Sequence, residues 1–155
     1  MKVIAGIVFA LLLSASALAQ SAGKSDVFSA QQNRAQLEAL TAQAKTSGSA
    51  GITLADYGSH KLQISVRTTS GGAEIHAHYD DVMIVEQGSA TIITGGTVVD
   101  AKTNQDGETK GSSIQGGQSR TIAAGDIVTV NAGIPHQIIV PTGTTYRAFV
   151  IKVKE

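Results

Sequence analysis

Glu74-Ile75-His76-Ala77-His78-Tyr79-Asp80-Asp81 gathers two imidazoles and several carboxylates into eight residues, and the apolar run Val82-Met83-Ile84-Val85 carries the chain on to Gly88. In an extended segment side chains alternate with a period of two, so His76 and His78 are expected on one face. A third histidine, His136, follows Gly125-Asp126-Ile127-Val128-Thr129-Val130-Asn131-Ala132-Gly133-Ile134-Pro135, a strand-like run and a glycine turn. The chain has four histidines, and three lie in these two segments. Imidazole nitrogens suit Mn, Fe, Co, Ni, Cu or Zn, and an added carboxylate shifts the preference toward the harder ions of that set. Three imidazoles and one carboxylate leave coordination positions open, which is the mark of a catalytic rather than a structural site. The competing reading is a polar pocket lined by histidines without a metal.

The elements that must position these groups read as β. Ile52–Tyr57, Lys61–Arg67, Ala73–His78, Val82–Gln87 and Ala90–Thr94 are expected strands. Thr97–Val99, Ser119–Ile122, Ile127–Val130, His136–Val140 and Tyr146–Lys152 extend the set. In Lys61–Arg67 the apolar Leu62, Ile64 and Val66 alternate with polar residues, the pattern of a strand with one buried face. Asp100–Gln118 is polar and glycine-rich with a turn at Asn104-Gln105-Asp106-Gly107; it is long for a hairpin loop, and forms either an extra hairpin or a cover over the barrel mouth. No helical pattern interrupts the strands, so the class is all-β: a sandwich, jelly roll or barrel.

Upstream the texture differs. Lys2, the apolar run Val3–Leu13 and Ala17-Leu18-Ala19 make residues 1–19 a secretory signal peptide, too short and wrongly flanked for a spanning helix. The sequence has no cysteine, hence no lipid-anchor cysteine and no disulfide, although an exported chain would be allowed one. No twin-arginine pair stands near the start, so export in the unfolded state is expected. Residues 20–50 form a polar segment holding one helix from Ser29 to about Lys45, capped by Ser29 and closed by Gly48. Its thin apolar stripe is Ala30, Leu37, Leu40 and Ala44, with Phe28 at the start. Thr46–Gly51 reads as a linker, and residues 51–155 as the single globular domain. One of the twelve basic residues, Lys2, lies in the leader, leaving eleven against twelve acidic ones. That balance gives no electrostatic case for nucleic acid or for an anionic membrane surface.

The two histidine segments resemble the two motifs of the cupin superfamily, G-x5-H-x-H-x3,4-E-x6-G and G-x5-P-x-G-x2-H-x3-N. His76, His78 and Gly88 match the first, and Gly125, Gly133 and His136 match the second. Asn131 replaces the usual proline and Val140 the usual asparagine, while Gly71 and Gly72 flank the expected first glycine. The resemblance covers about residues 60–153. It implies a single jelly-roll β-barrel, often a homodimer, with one divalent metal in its mouth.

Asp81 stands seven residues before Gly88, at the position of the family's glutamate, but only three after His78. That spacing changes the strand parity, which a bulge or tight turn at Tyr79-Asp80 would restore. Asp80 has the right parity and the wrong distance to Gly88; Asp81 is preferred, and a site with no carboxylate is the remaining alternative. The expected metal ligands are therefore His76, His78, Asp81 and His136, holding Mn, Fe, Ni or Zn. Tyr79 and Tyr146 are read first as packing residues and second as partners of a ligand hydroxyl; Gln137 and Arg147 are weaker candidates, and His60 is a surface or turn residue. Two functions follow: an exported metal-dependent enzyme of dioxygenase, isomerase or lyase type acting on a small molecule, or a non-catalytic ligand-binding or sensor barrel. A purely structural dimer is third. Export leaves periplasm and medium both open.

Overall fold

The computed structural model describes residues 25–155, and the leader expected at residues 1–19 lies outside them. The first element is α1 (Ala30–Ser47). Ser29 caps it reciprocally: its hydroxyl accepts from the Gln32 N–H, and the Gln32 side chain accepts from the Ser29 N–H. Two of the donors that a helix start leaves free are thus satisfied. At the far end Gly48, at φ 82°, donates to the Ala44 carbonyl and turns the chain out of the helix. The expected linker shrinks to that one residue, because the Thr68 and Thr69 N–H groups both donate to the Gly48 carbonyl and clamp the turn.

Thirteen strands follow: β1 (Ser49–Asp56), β2 (His60–Arg67), β3 (Ala73–Ile75), β4 (Tyr79–Gln87), β5 (Ser89–Thr94), β6 (Thr97–Val99), β7 (Lys102–Thr103), β8 (Thr109–Gly111), β9 (Ser113–Gln115), β10 (Gln118–Ala123), β11 (Ile127–Val130), β12 (His136–Ile139) and β13 (Tyr146–Lys154). They pair antiparallel in two sheets, ordered β1-β2-β13-β4-β11 and β10-β5-β12-β3-β8-β7, with β6-β9 as a separate ribbon. Among the described residues the result is an all-β jelly roll with one helix. Gly88 joins β4 to β5 at φ 79°, and a Cβ there would collide with the Thr145 carbonyl, so both conformation and space demand glycine.

There are two apolar cores. Between the sheets lie Met83, Val85, Ile92, Ile122, Ile138, Tyr146, Ala148 and Val150, with Ala90, Val130 and Val140 beside them. Outside the first sheet, Leu37, Leu40 and Ala44 of α1 pack on Ile64 and Val66 of β2. Burying Ile64 and Val66 there stabilises the fold by about 1.5–3 kcal/mol each. The apolar face of β2 is therefore taken by the helix, and its polar face, Gln63, Ser65 and Arg67, turns into the barrel. Ala30, expected in the helix stripe, is exposed; Thr41 is buried instead, its hydroxyl satisfied by the Leu37 carbonyl at 2.6 Å. Among the described residues no helix is long and apolar enough to cross a membrane.

Candidate functional site

β3 ends at Ile75 rather than running through His78, and His76–His78 form a bend. The bend is pinned at both ends: the Gly133 N–H donates to the His76 carbonyl at 2.8 Å, and the Glu155 N–H to the His78 carbonyl at 3.1 Å. Strand alternation does not apply across it. His76 turns inward and is 9% exposed, whereas His78 is exposed and stands beside Gly107 of the β7–β8 turn, outside the cavity. Of the four expected ligands, the structure brings together His76, Asp81 and His136 and leaves His78 apart.

The bend also decides between the two aspartates. Asp81 points inward on β4, buried with Met83 and Val85 on the same face. Asp80 points away, and its carboxylate accepts from the Ala132 N–H at 2.7 Å, fixing the loop that delivers His136. Asp81 Oδ2 lies 3.3 Å from His76 Nε2 and 3.7 Å from His136 Nε2. The two rings are 5.0 Å apart between centroids. Asp81 Oδ1 is held separately by the Lys152 ammonium at 2.6 Å.

Each imidazole is oriented from behind. His76 Nδ1 bonds Glu108 Oε2, and His136 Nδ1 donates to the Ile134 carbonyl at 3.2 Å. A carbonyl only accepts, so the His136 proton sits on Nδ1 and its Nε2 presents a lone pair toward Asp81. Burial lowers the pKa of His136 and keeps it neutral. A lone pair and a carboxylate oxygen facing each other are stabilised by a cation beside them, a role that the Lys152 ammonium fills from the Oδ1 side and that a metal would fill between them. Burial also opposes the His76 imidazolium, but contacts with Asp81 and Glu108 outweigh it and raise that pKa. Burial would raise the pKa of Asp81; His76 and Lys152 overcome it and lower it.

The donor set fits a transition metal. Bonds of about 2.1 Å in a tetrahedral site put donor atoms about 3.4 Å apart, close to the 3.3 and 3.7 Å measured here. Backing of each ligating imidazole by a carboxylate or carbonyl is the usual arrangement around metals. Among the described residues, the group whose donor atoms all lie within 4.8 Å of one another is Glu74, on β3, with His76 and His136; Asp81 approaches each histidine singly and is not part of that group.

Three contributors were not singled out from the sequence. Glu74 precedes His76 by two residues, and that spacing was a usable signal. Lys152 lies on the face of β13 that carries Tyr146, Ala148 and Val150 into the cavity, so a lysine among apolar alternates was a second signal. Glu108 had none: it arrives from the polar stretch, where β7 and β8 form a hairpin. The Asn104 side chain shapes its turn by accepting from the Asp106 and Glu108 N–H groups at 3.0 Å each. Of the weaker candidates, Gln137 is committed to the Ile114 N–H and the Gly71 carbonyl. Tyr146 lines the cavity, which has a volume of about 300 Å³.

No protein-family model and no curated protein matches the chain. Solved structures do. The protein TT1209 from Thermus thermophilus superposes at TM-score 0.55 and 14% identity, covering 76% of this chain and 93% of that one. An oxalate oxidase studied in complex with glycolate superposes at TM-score 0.51 and 15% identity, covering 69% of this chain and 51% of that one. The DMSP lyase DddQ from Ruegeria pomeroyi superposes at TM-score 0.50 and 15% identity, with 70% and 48% covered. The chain spans about half the length of the oxidase and the lyase. At such identities the likeness is one of fold alone. Structural neighbours of this fold include enzymes, and a Glu/His/His group able to hold a metal is present in this chain.

Proposed function

We propose that this is an exported cupin-fold protein that holds one divalent transition metal through His76, His136 and Asp81 and acts on a small molecule in the adjoining cavity. The observation that carries the reading is the orientation of the two imidazoles: each Nδ1 is occupied by an acceptor behind it, and both Nε2 atoms converge on one oxygen of Asp81. Two histidines and a carboxylate that leave positions open are the donor set of non-haem iron, with Mn, Ni and Zn as the alternatives. When bound, such an ion supplies Lewis-acid or oxygen chemistry of oxidase, dioxygenase, isomerase or lyase type. The protein's own groups hold and orient: Lys152 fixes Asp81, Glu108 fixes His76, and the Ile134 carbonyl fixes His136. The names of two structural neighbours, an oxidase and a lyase, support a small-molecule enzyme.

The Lys152–Asp81 contact favours a second reading, a metal-free ligand-binding barrel, because the ammonium already supplies one cation to the buried carboxylate. Elemental analysis of the purified protein beside a His76→Ala/His136→Ala variant separates the two. Near-stoichiometric metal in the parent, lost in the variant, is expected. No metal in either protein after incubation with Mn, Fe, Ni and Zn sinks the first reading and leaves the second. Iron would direct assays to oxygen chemistry, and zinc or manganese to isomerisation or elimination.

A further inference from the structure

We infer that Arg67 and Tyr146 form a subsite for the carboxylate group of a small organic acid, inside the same cavity as His76, His136 and Asp81. The inference rests on the reading of that cavity as a small-molecule site, and does not require the metal.

The ionic groups around the cavity pair off with one exception. Lys152 bonds Asp81, His76 bonds Glu108, and Lys110 stands 3.8 Å from Glu74. Arg67, which lines the cavity, has no carboxylate within 4.0 Å among the described residues. A guanidinium presents five donors in a planar fork, and leaving it half-buried without an anion is costly. Its partner across the β2–β13 ladder is Tyr146, and directly opposed residues of an antiparallel pair share a face. Tyr146 is 2% exposed, and its buried hydroxyl has no hydrogen-bond partner among the described residues. Buried hydroxyls are nearly always paired, so this donor is also awaiting an acceptor. Burial pushes the phenol up to about 12, with the Arg67 charge pulling against it, which keeps the proton on the oxygen.

The site is also shaped for the guanidinium. A Cβ on Gly71 would come within 2.6 Å of Arg67 Nη1 and 2.9 Å of Cζ, so the side chain lies against bare backbone. That backbone is held in place: the Gly71 N–H donates to the Ile138 carbonyl at 2.9 Å, and the Gly71 carbonyl accepts from Gln137 at 2.8 Å. One planar fork and one neutral hydroxyl match a carboxylate, which takes two parallel N–H bonds and a third donor. A phosphate dianion would call for more positive charge. The cavity volume lies at the lower end for ligand pockets, which limits the acid to a small one. Tyr146 and Lys152 are separated by six residues of β13, about 20 Å of strand, so the carboxylate would sit at the end away from Asp81.

Calorimetric titration with glutarate and propionate tests this, with glutaramide and propionamide as uncharged matches and inorganic phosphate as the rival anion. The parent should bind the acids and not the amides. Arg67→Met should weaken binding about tenfold or more and Tyr146→Phe about threefold to tenfold, with Arg67→Lys in between and metal content unchanged in all three. His76→Ala should lose metal and keep the acids. Absence of acid binding in the parent, unaltered binding in Arg67→Met, tighter binding of phosphate than of either acid, or loss of binding only in His76→Ala would each overturn the subsite. If Arg67→Met fails to fold by circular dichroism, Arg67→Lys and Tyr146→Phe decide the matter. Acid binding that depends on Arg67 in a protein that takes up no metal would uphold the subsite and overturn the metal reading.

Discussion

At Asp81 the two carboxylate oxygens have separate partners, Lys152 on one and the facing histidines on the other. That division sets the pH behaviour of the metal-free protein. The folded pKa of Asp81 is depressed, so its contribution to stability is present above 3.8 and is lost as pH falls through its lower folded value. The folded pKa of His76 is raised, so its contribution is present below 6.5 and is lost as pH rises through its higher folded value. Asp81 and His76 contribute together between 3.8 and 6.5, whereas neutral His136, its pKa lowered by burial, loses its contribution as pH falls below 6.5; thermal melts of metal-free protein should therefore decline above 6.5 through His76 and, on the acid side, first through His136 and then through Asp81. Metal competes with the proton on His76, so saturating metal should remove the alkaline decline; an alkaline limb unchanged by metal would contradict ligation by His76. Tyr146→Phe makes a different test. It deletes a buried hydroxyl without a partner, and should raise stability in urea by about 1 kcal/mol without ligand while weakening acid binding. Asp81 was chosen over Asp80 on its distance to Gly88, and the structure shows what parity alone obscured: the His76–His78 bend resets the alternation before β4 begins.

Elements decide which of these residues meet. The alternation in β2 was plain in the sequence, but the face it buries was not, because α1 offers the outer side of the sheet a second apolar surface. Leu40→Ala at that seam should cost about 2–5 kcal/mol in denaturant unfolding and leave metal stoichiometry unchanged, since Leu40 touches the helix-side core and not the cavity. The β7–β8 hairpin does the reverse. It adds little apolar burial yet brings Glu108 to His76 across 32 residues of sequence. Glu108→Gln should lower metal affinity about tenfold, read by competition with a chelator, with little change in the melting temperature of metal-free protein. The polar composition of residues 100–118 announced a loop and a turn; no local pattern marks a loop carboxylate as the partner of a distant imidazole.

Across the whole molecule, the first sheet ends at β11, where Ile127 is 67% exposed beside its register partner Ile84 at 38%. An apolar pair at a sheet edge is a surface that a second copy can cover, which is in line with the homodimer that the family resemblance implies. Sedimentation should give twice the chain mass, with Ile127→Glu returning it toward one; a monomeric parent would contradict that expectation. The sequence by itself determined the fold class, the helix with its Ser29 and Gly48 ends, ten of the thirteen strands and three of the groups now facing the cavity. Those features depend on local periodicity, capping chemistry and short motif spacing, all of which are written within a few residues. Tertiary structure alone decided that His78 turns out, that Glu74, Glu108 and Lys152 turn in, and that the polar face of β2 carries Arg67 to Tyr146. Each of these depends on hydrogen bonds and packing between segments far apart in the chain; local spacing hints at Glu74 and Lys152, but the partners that fix their direction lie outside any local pattern.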